Sequence, residues 1–129
     1  MLVLSLSFIV ISMMTCYFLK NIQLQYFISL LTALLHLVFS FWFFMGWYNP
    51  EIFFVSDDSL SRLFLLVVSN VYFWVVLISL SFLKKSSASN GKKYYFLLLN
   101  FYLLANTSVI LCNSFGVYWV SIEATTLSI

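Results

Sequence analysis

The stretch LFLLVVSNVYFWVVLISLSFL, residues 63–83, decides the fold, because it contains 21 residues and not one charged side chain. A transmembrane helix needs about 20 mostly apolar residues, at a rise of about 1.5 Å per residue. Comparable apolar runs occupy residues 2–19, 26–48 and 94–112. The sequence therefore predicts four helices that each cross a membrane completely.

The overall composition agrees with this reading of the apolar runs. Of the 129 residues, 64% are apolar and only 8% are charged, against roughly 25% charged residues in a soluble domain. A chain this short must expose much of its surface, so the composition excludes a water-soluble monomer. With 3 glycines and 1 proline, uninterrupted helices are favoured over a barrel, which needs many turns. We expect an all-α integral membrane protein with a single transmembrane domain over residues 1–129.

The charged residues indicate an orientation in the bilayer. Six basic and four acidic side chains give a net charge of +2, too little for the basic patch that nucleic-acid binding requires. Four lysines lie in the connector 84–93 and one, Lys20, lies in the first connector, whereas the second connector contains Glu51, Asp57 and Asp58. The positive-inside rule places the lysine-rich connectors on the cytoplasmic or matrix side. The N-terminus is then expected on the opposite, positive side.

A fifth apolar segment, residues 117–129, contains the leading candidate for a functional site. Thirteen helical residues reach about 20 Å, short of a hydrocarbon core about 30 Å thick, so we expect an incomplete fifth helix that something else completes. Glu123 lies about 10 Å along that helix from Gly116. A carboxylate at such depth is costly and favours proton or cation handling. The alternative is a glutamate that only pairs with another subunit.

Other polar residues give weaker indications. His36 lies in the middle of the second apolar run, where it would act as a proton relay or as a hydrogen-bonding link between helices. Asp58 or Ser59 would cap the third helix or lie at an interface. The asparagines inside apolar runs would form hydrogen bonds between helices or hold water; they are Asn70, Asn100, Asn106 and Asn113.

No pattern of a cofactor site is present in the sequence. The two cysteines, Cys16 and Cys112, lie inside apolar runs without metal-like spacing, which is typical of small buried side chains. Neither a glycine-rich phosphate loop nor a nucleophile, base and orienting group at catalytic spacing is found. We therefore predict no metal, haem or other redox centre in this chain.

Two parts of the chain resemble a known family, one at the start of the third apolar run and one over the fourth and fifth. Residues 58–64, DSLSRLF, resemble the Asp-x-Leu-Ser-x-x-Phe signature of the antiporter-like membrane subunits of respiratory complex I and related hydrogenases. Residues 94–98, YYFLL, and residues 113–127, NSFGVYWVSIEATTL, are similar to the fourth and fifth helices of that family. The order and spacing of these segments make the resemblance more specific than either motif alone.

The resemblance implies a function. Glu123 corresponds to the family's fifth-helix carboxylate in the proton pathway, and the chain corresponds to NADH dehydrogenase chains 2, 4 or 5 in the mitochondrial inner membrane, with the N-terminus on the intermembrane-space side. Flavin, iron–sulfur clusters and ubiquinone would belong to other subunits. The family's partner lysine lies on helices beyond the fifth. We therefore expect an organelle-encoded N-terminal piece of a split subunit, completed by a separate chain and packed against other complex I membrane subunits and lipid.

Three alternatives stay open at this point. One is an accessory subunit that only scaffolds a respiratory membrane complex. A second is a small autonomous proton-coupled transporter of the four-helix multidrug type, although such proteins place the carboxylate on the first helix and this first helix has none. A third is the small complex I chain with three helices and buried glutamates.

Overall fold

The computed structural model describes residues 2–45, 59–85, 89–111 and 115–128, which form five α-helices. Their bounds are α1 Leu2–Phe18, α2 Ile22–Phe44, α3 Ser59–Lys85, α4 Ser89–Leu111 and α5 Phe115–Ser128. Three stretches are long and apolar enough to cross a membrane, namely Ile22–Phe44, Ser59–Lys85 and Tyr94–Leu111. The all-helical, multi-pass membrane class is therefore confirmed.

The first helix is shorter than the other candidate spans. Its apolar part, Leu4–Phe18, falls below the length of a complete span. The expectation that four helices cross the membrane completely therefore stays a prediction.

Several predicted helix bounds were wrong, because polar residues that we assigned to connectors are helical. α2 begins at Ile22 instead of residue 26, since the side chain of Asn21 caps the helix by accepting a 3.1 Å hydrogen bond from the backbone N–H of Gln23. α3 extends beyond residues 63–83 in both directions. Its last turn contains Lys84 and Lys85, whose positive charges interact favourably with the negative C-terminal end of the helix dipole. α4 begins five residues before the predicted position 94.

The first four helices form an antiparallel bundle. α1 and α3 each pack against both α2 and α4, and α2 also contacts α4 across the middle. Side-chain pairs give the register: Ser12 on α1 meets Thr32 on α2, and His36 on α2 meets Ser69 on α3. The end of α1, the beginning of α2, the end of α3 and the beginning of α4 consequently share one end of the bundle, here called the lysine end.

The interior of this bundle is unusually polar. α2 buries Gln25, Ser29, Thr32, His36 and Ser40 at spacings of three and four residues. Its opposite faces expose large apolar side chains such as Phe27 and Val38. Polar groups that link helices inside and apolar side chains that face outward are the pattern expected of helices surrounded by lipid.

Candidate functional site: a buried histidine and an exposed carboxylate

His36 is held at the centre of the bundle by one hydroxyl from each of two neighbouring helices. Its side chain is 2% exposed. The Nδ1 atom lies 2.7 Å from the Ser69 hydroxyl of α3, and the Nε2 atom lies 3.0 Å from the Thr107 hydroxyl of α4. Each hydroxyl also lies 2.7 Å from a carbonyl oxygen of its own helix, that of Leu65 or Leu103.

His36, Ser69, Thr107 and the two carbonyl oxygens form what is here called the His36 cluster. The number of hydrogen atoms in it determines which protonation states of the imidazole can be fully hydrogen-bonded. A neutral imidazole supplies one N–H and the two hydroxyls supply one hydrogen each, which makes three hydrogens for four contacts. One hydroxyl must then leave its carbonyl and donate to the unprotonated ring nitrogen. An imidazolium has two N–H groups, so all four contacts are filled, with both hydroxyls donating to their carbonyls. The cluster therefore accepts either tautomer, and it fully pairs an added proton, by rotation of hydroxyls alone.

A second polar cluster links all four helices of the bundle. The Asn100 side chain of α4 is fully buried; its carbonyl oxygen accepts a 2.5 Å hydrogen bond from the hydroxyl of Tyr72 on α3. Its amide nitrogen donates to Ser29 on α2 at 3.2 Å and to Cys16 on α1 at 3.6 Å. Ser29 is seven residues before His36 on α2, so this cluster lies about 10 Å nearer the lysine end.

Glu123 lies apart from the His36 cluster, on an exposed face of α5. Four residues before and after it on the same face are Trp119 and Leu127, which are 64% and 78% exposed. Among the described helices, α5 packs against α4 alone. Within the described part of the chain, the Glu123 side chain makes neither a hydrogen bond nor an ion pair. α5 thus presents the Glu123 carboxylate between two exposed apolar side chains, on a face that none of the described helices covers.

The other candidate residues have mixed outcomes. Ser59 is the first residue of α3 and is exposed, but Asp58 lies outside the described residues, so capping by this pair stays a prediction. Cys16 is buried, as expected, whereas Cys112 is outside the described residues. Asn113 also lies outside the described residues, whereas the other three asparagines lie within them.

The prediction that the asparagines link helices is confirmed only for Asn100. Asn70 is exposed on α3. Asn106 donates to the carbonyl oxygen of Tyr102, one turn earlier in its own helix. Neither residue links two of the described helices, because each lies on a face that does not point at a neighbouring helix.

Sequence reasoning missed the hydroxyl-bearing residues that build both clusters. Ser69, Tyr72 and Thr107 were not singled out, because single hydroxyls are common in membrane helices. The signal that was available is on α2, where Gln25, Ser29, Thr32, His36 and Ser40 follow one another at intervals of four, three, four and four. That interval marks a single helix face, so His36 was predictable as part of a polar stripe.

The described residues do not bring together three or more histidine, cysteine, aspartate or glutamate side chains in an arrangement suited to a metal ion. What they do bring together are hydroxyl, amide and imidazole groups, which form hydrogen bonds between helices. Comparison of the chain with protein-family models, with curated proteins and with solved structures gives no match.

Proposed function

We propose that this chain contributes the first five helices of an antiporter-like, proton-translocating membrane subunit of NADH:ubiquinone oxidoreductase, in the mitochondrial inner membrane. Helices outside this sequence would complete the bundle, and other membrane subunits of the complex would surround it. The redox groups, ubiquinone included, would reside in other subunits. The role of this chain is to hold and pass protons.

The observation that supports this proposal most strongly is the position of Glu123. A carboxylate that faced lipid would be costly unless a cation or hydrogen-bond donor approached it. Its exposure beside Trp119 and Leu127 favours a further helix that packs on this face and brings such a partner. The resemblance identified in the sequence implies a lysine in that place.

Proton transfer at Glu123 follows from the chemistry of such a pair. A nearby ammonium group favours the ionised carboxylate, whereas desolvation favours the protonated form. If the partner moves toward and away from Glu123, the carboxyl group releases and takes up a proton in turn. This chain supplies the proton-carrying oxygen atoms and a helix that fixes their depth.

The His36 cluster supplies a second place where a proton can reside. Its two hydroxyls adapt to either tautomer and to the imidazolium, as the hydrogen count above requires. A polar stripe on α2 runs from Gln25 at the lysine end to Ser40, a rise of about 22 Å. This stripe favours proton movement along the bundle between the lysine end and His36.

The test is the number of protons moved per electron in an assembled complex that contains Glu123→Gln. We expect a lower ratio, because glutamine keeps the size and loses the ionisable group. Thr126→Val is the matched control: Thr126 is exposed one turn away and its hydroxyl donates to the Glu123 backbone carbonyl. An unchanged ratio for Glu123→Gln in a fully assembled complex would contradict the proposal.

A further inference from the structure

A cavity with two lysines opens at the lysine end of the bundle. It lies where α2 begins, α3 ends and α4 begins, and its volume is about 180 Å³. Its lining residues are Ile22, Gln23, Leu80, Leu83, Lys84 and Lys92. Since one water occupies roughly 30 Å³ of liquid, the cavity admits a phosphate-sized group but not a whole lipid. It is separate from both the His36 cluster and Glu123.

The electrostatics of this cavity favour an anion. Lys84 and Lys92 each bring a positive charge. The positive N-terminal dipole ends of α2 and α4 meet the negative C-terminal dipole ends of α1 and α3 at this end of the bundle, so the net positive charge of the cavity comes from the two lysines. Lys92 is in the first turn of α4, where a cation is unfavourable unless an anion offsets it.

No acidic residue among the described residues lies at this end of the bundle to neutralise the lysines. The acidic residue that the structure describes is Glu123 on α5. The remaining acidic residues of the sequence, Glu51, Asp57 and Asp58, lie outside the described residues. Within the described part of the chain, no carboxylate neutralises Lys84 and Lys92, so an external anion can take that place.

An apolar path leads from the cavity into the membrane. Gln23 lines the cavity, and Phe27, Leu31 and Leu34 follow it on the same side of α2 at intervals of four, four and three residues. All three apolar side chains are exposed, Phe27 by 70%. A ligand whose phosphate entered the cavity would find this stripe directly beneath it, at the depth of the hydrocarbon core.

We propose that this cavity binds the phosphate group of an anionic phospholipid, with Lys84 and Lys92 on the phosphate and an acyl chain along Phe27, Leu31 and Leu34. Basic pockets between membrane helices on the side of positive connectors have the chemistry that retains acidic lipid head groups. A free phosphate would use the lysines but gain nothing from the apolar stripe, so the stripe selects the lipid. The bound phosphate connects the beginnings of α2 and α4 with the end of α3 and stabilises their packing.

The test measures lipid retention by the full chain, purified in a neutral detergent. Dioleoyl phosphatidylglycerol and dioleoyl phosphatidylcholine are added in equal amounts, and native mass spectrometry counts the lipids bound. We expect one tightly held phosphatidylglycerol per chain. Lys84→Gln combined with Lys92→Gln should lower the ratio of bound phosphatidylglycerol to phosphatidylcholine about tenfold.

The matched control removes the same charge outside the cavity. Lys20 and Lys85 are exposed and do not line it, so Lys20→Gln with Lys85→Gln should leave the ratio within about twofold. Leu80→Trp keeps both lysines and fills the cavity, so it should also release the lipid. Circular dichroism checks that each variant keeps its helices.

Three outcomes would overturn the proposal. The first is an equal loss of lipid in both lysine pairs, which would indicate general charge attraction. The second is retention by Leu80→Trp at the level of the unsubstituted chain. The third is displacement of the lipid by inorganic phosphate or glycerol 3-phosphate at millimolar concentration, which would indicate a free-phosphate site.

Discussion

Replacement of Asn100 by leucine should destabilise the bundle strongly, because Asn100 joins all four helices. Its side chain accepts from Tyr72 at 2.5 Å and donates to Ser29 at 3.2 Å and Cys16 at 3.6 Å. Interhelical hydrogen bonds in membranes average about 0.6 kcal/mol each, so three lost bonds cost about 2 kcal/mol. The Tyr72 hydroxyl, buried and left without its acceptor, adds about 1 kcal/mol or more.

The chain offers a control for this prediction in the same helix. Asn106 is half-buried and donates only to the carbonyl oxygen of Tyr102 in α4 itself. Asn106→Leu removes the same amide and breaks no contact between helices, so we expect a change of at most about 0.5 kcal/mol.

The assay is reversible unfolding of the full chain in mixed micelles, with increasing dodecyl sulfate and helicity followed by circular dichroism. We expect Asn100→Leu to lower the free energy of unfolding by about 3 kcal/mol relative to Asn106→Leu. Tyr72→Phe should show a coupling energy with Asn100→Leu, since the two residues share a bond. Equal effects of the two leucine variants would refute the reasoning that Asn100 is the junction of the bundle.

Three further predictions concern His36, Gln25 and the contact between Ser12 and Thr32. His36→Leu should change the free energy of unfolding by less than about 1 kcal/mol, because the two hydroxyls fall back on their own carbonyls, yet it should slow proton movement in the assembled complex; a large loss of stability would contradict this. Gln25→Leu should speed amide hydrogen exchange near Leu19, since Gln25 donates to the carbonyl oxygens of Cys16 and Leu19; unchanged exchange there would argue against this role. Ser12→Cys with Thr32→Cys should form a disulfide under mild oxidation, because the two hydroxyls are 2.8 Å apart; pairing of Ser12→Cys with Ser40→Cys instead would indicate another register.

The membrane class and the number of helices were predictable because they depend on the length of apolar runs. A run such as residues 63–83, which contains no charged side chain, is long enough to cross the hydrocarbon core as one helix. The bounds were less predictable, since Asn21 as a cap and Lys84 as a last-turn cation extend helices into polar sequence. Such local effects add a few residues and do not change the topology.

The candidate site was only partly predictable for a different reason. His36 and Glu123 stand out as single ionisable residues in apolar runs. The partners of His36, Ser69 and Thr107, are 33 and 71 residues away in sequence, and the register that joins them depends on the packing of three helices. Hydroxyl residues look alike in a sequence, so only the fold separates Thr107, which contacts His36, from Ser108, which bonds within its own helix.

The exposure of Glu123 was not anticipated either. The sequence places it at a depth along the helix but gives no direction around it. In the structure its face is uncovered, with Trp119 and Leu127 on either side. This makes an incoming helix, rather than a partner within these five helices, the expected source of its counter-charge.

The central claim is that this chain works inside a respiratory complex, and native-gel separation of gently solubilised membranes tests it most directly. The band that contains this chain is stained for NADH dehydrogenase activity, and its proteins are identified by mass spectrometry. Our account predicts co-migration with that activity and with a hydrophobic protein whose helices pack around Glu123. Migration as a single chain or as a small homo-oligomer without that activity would contradict it.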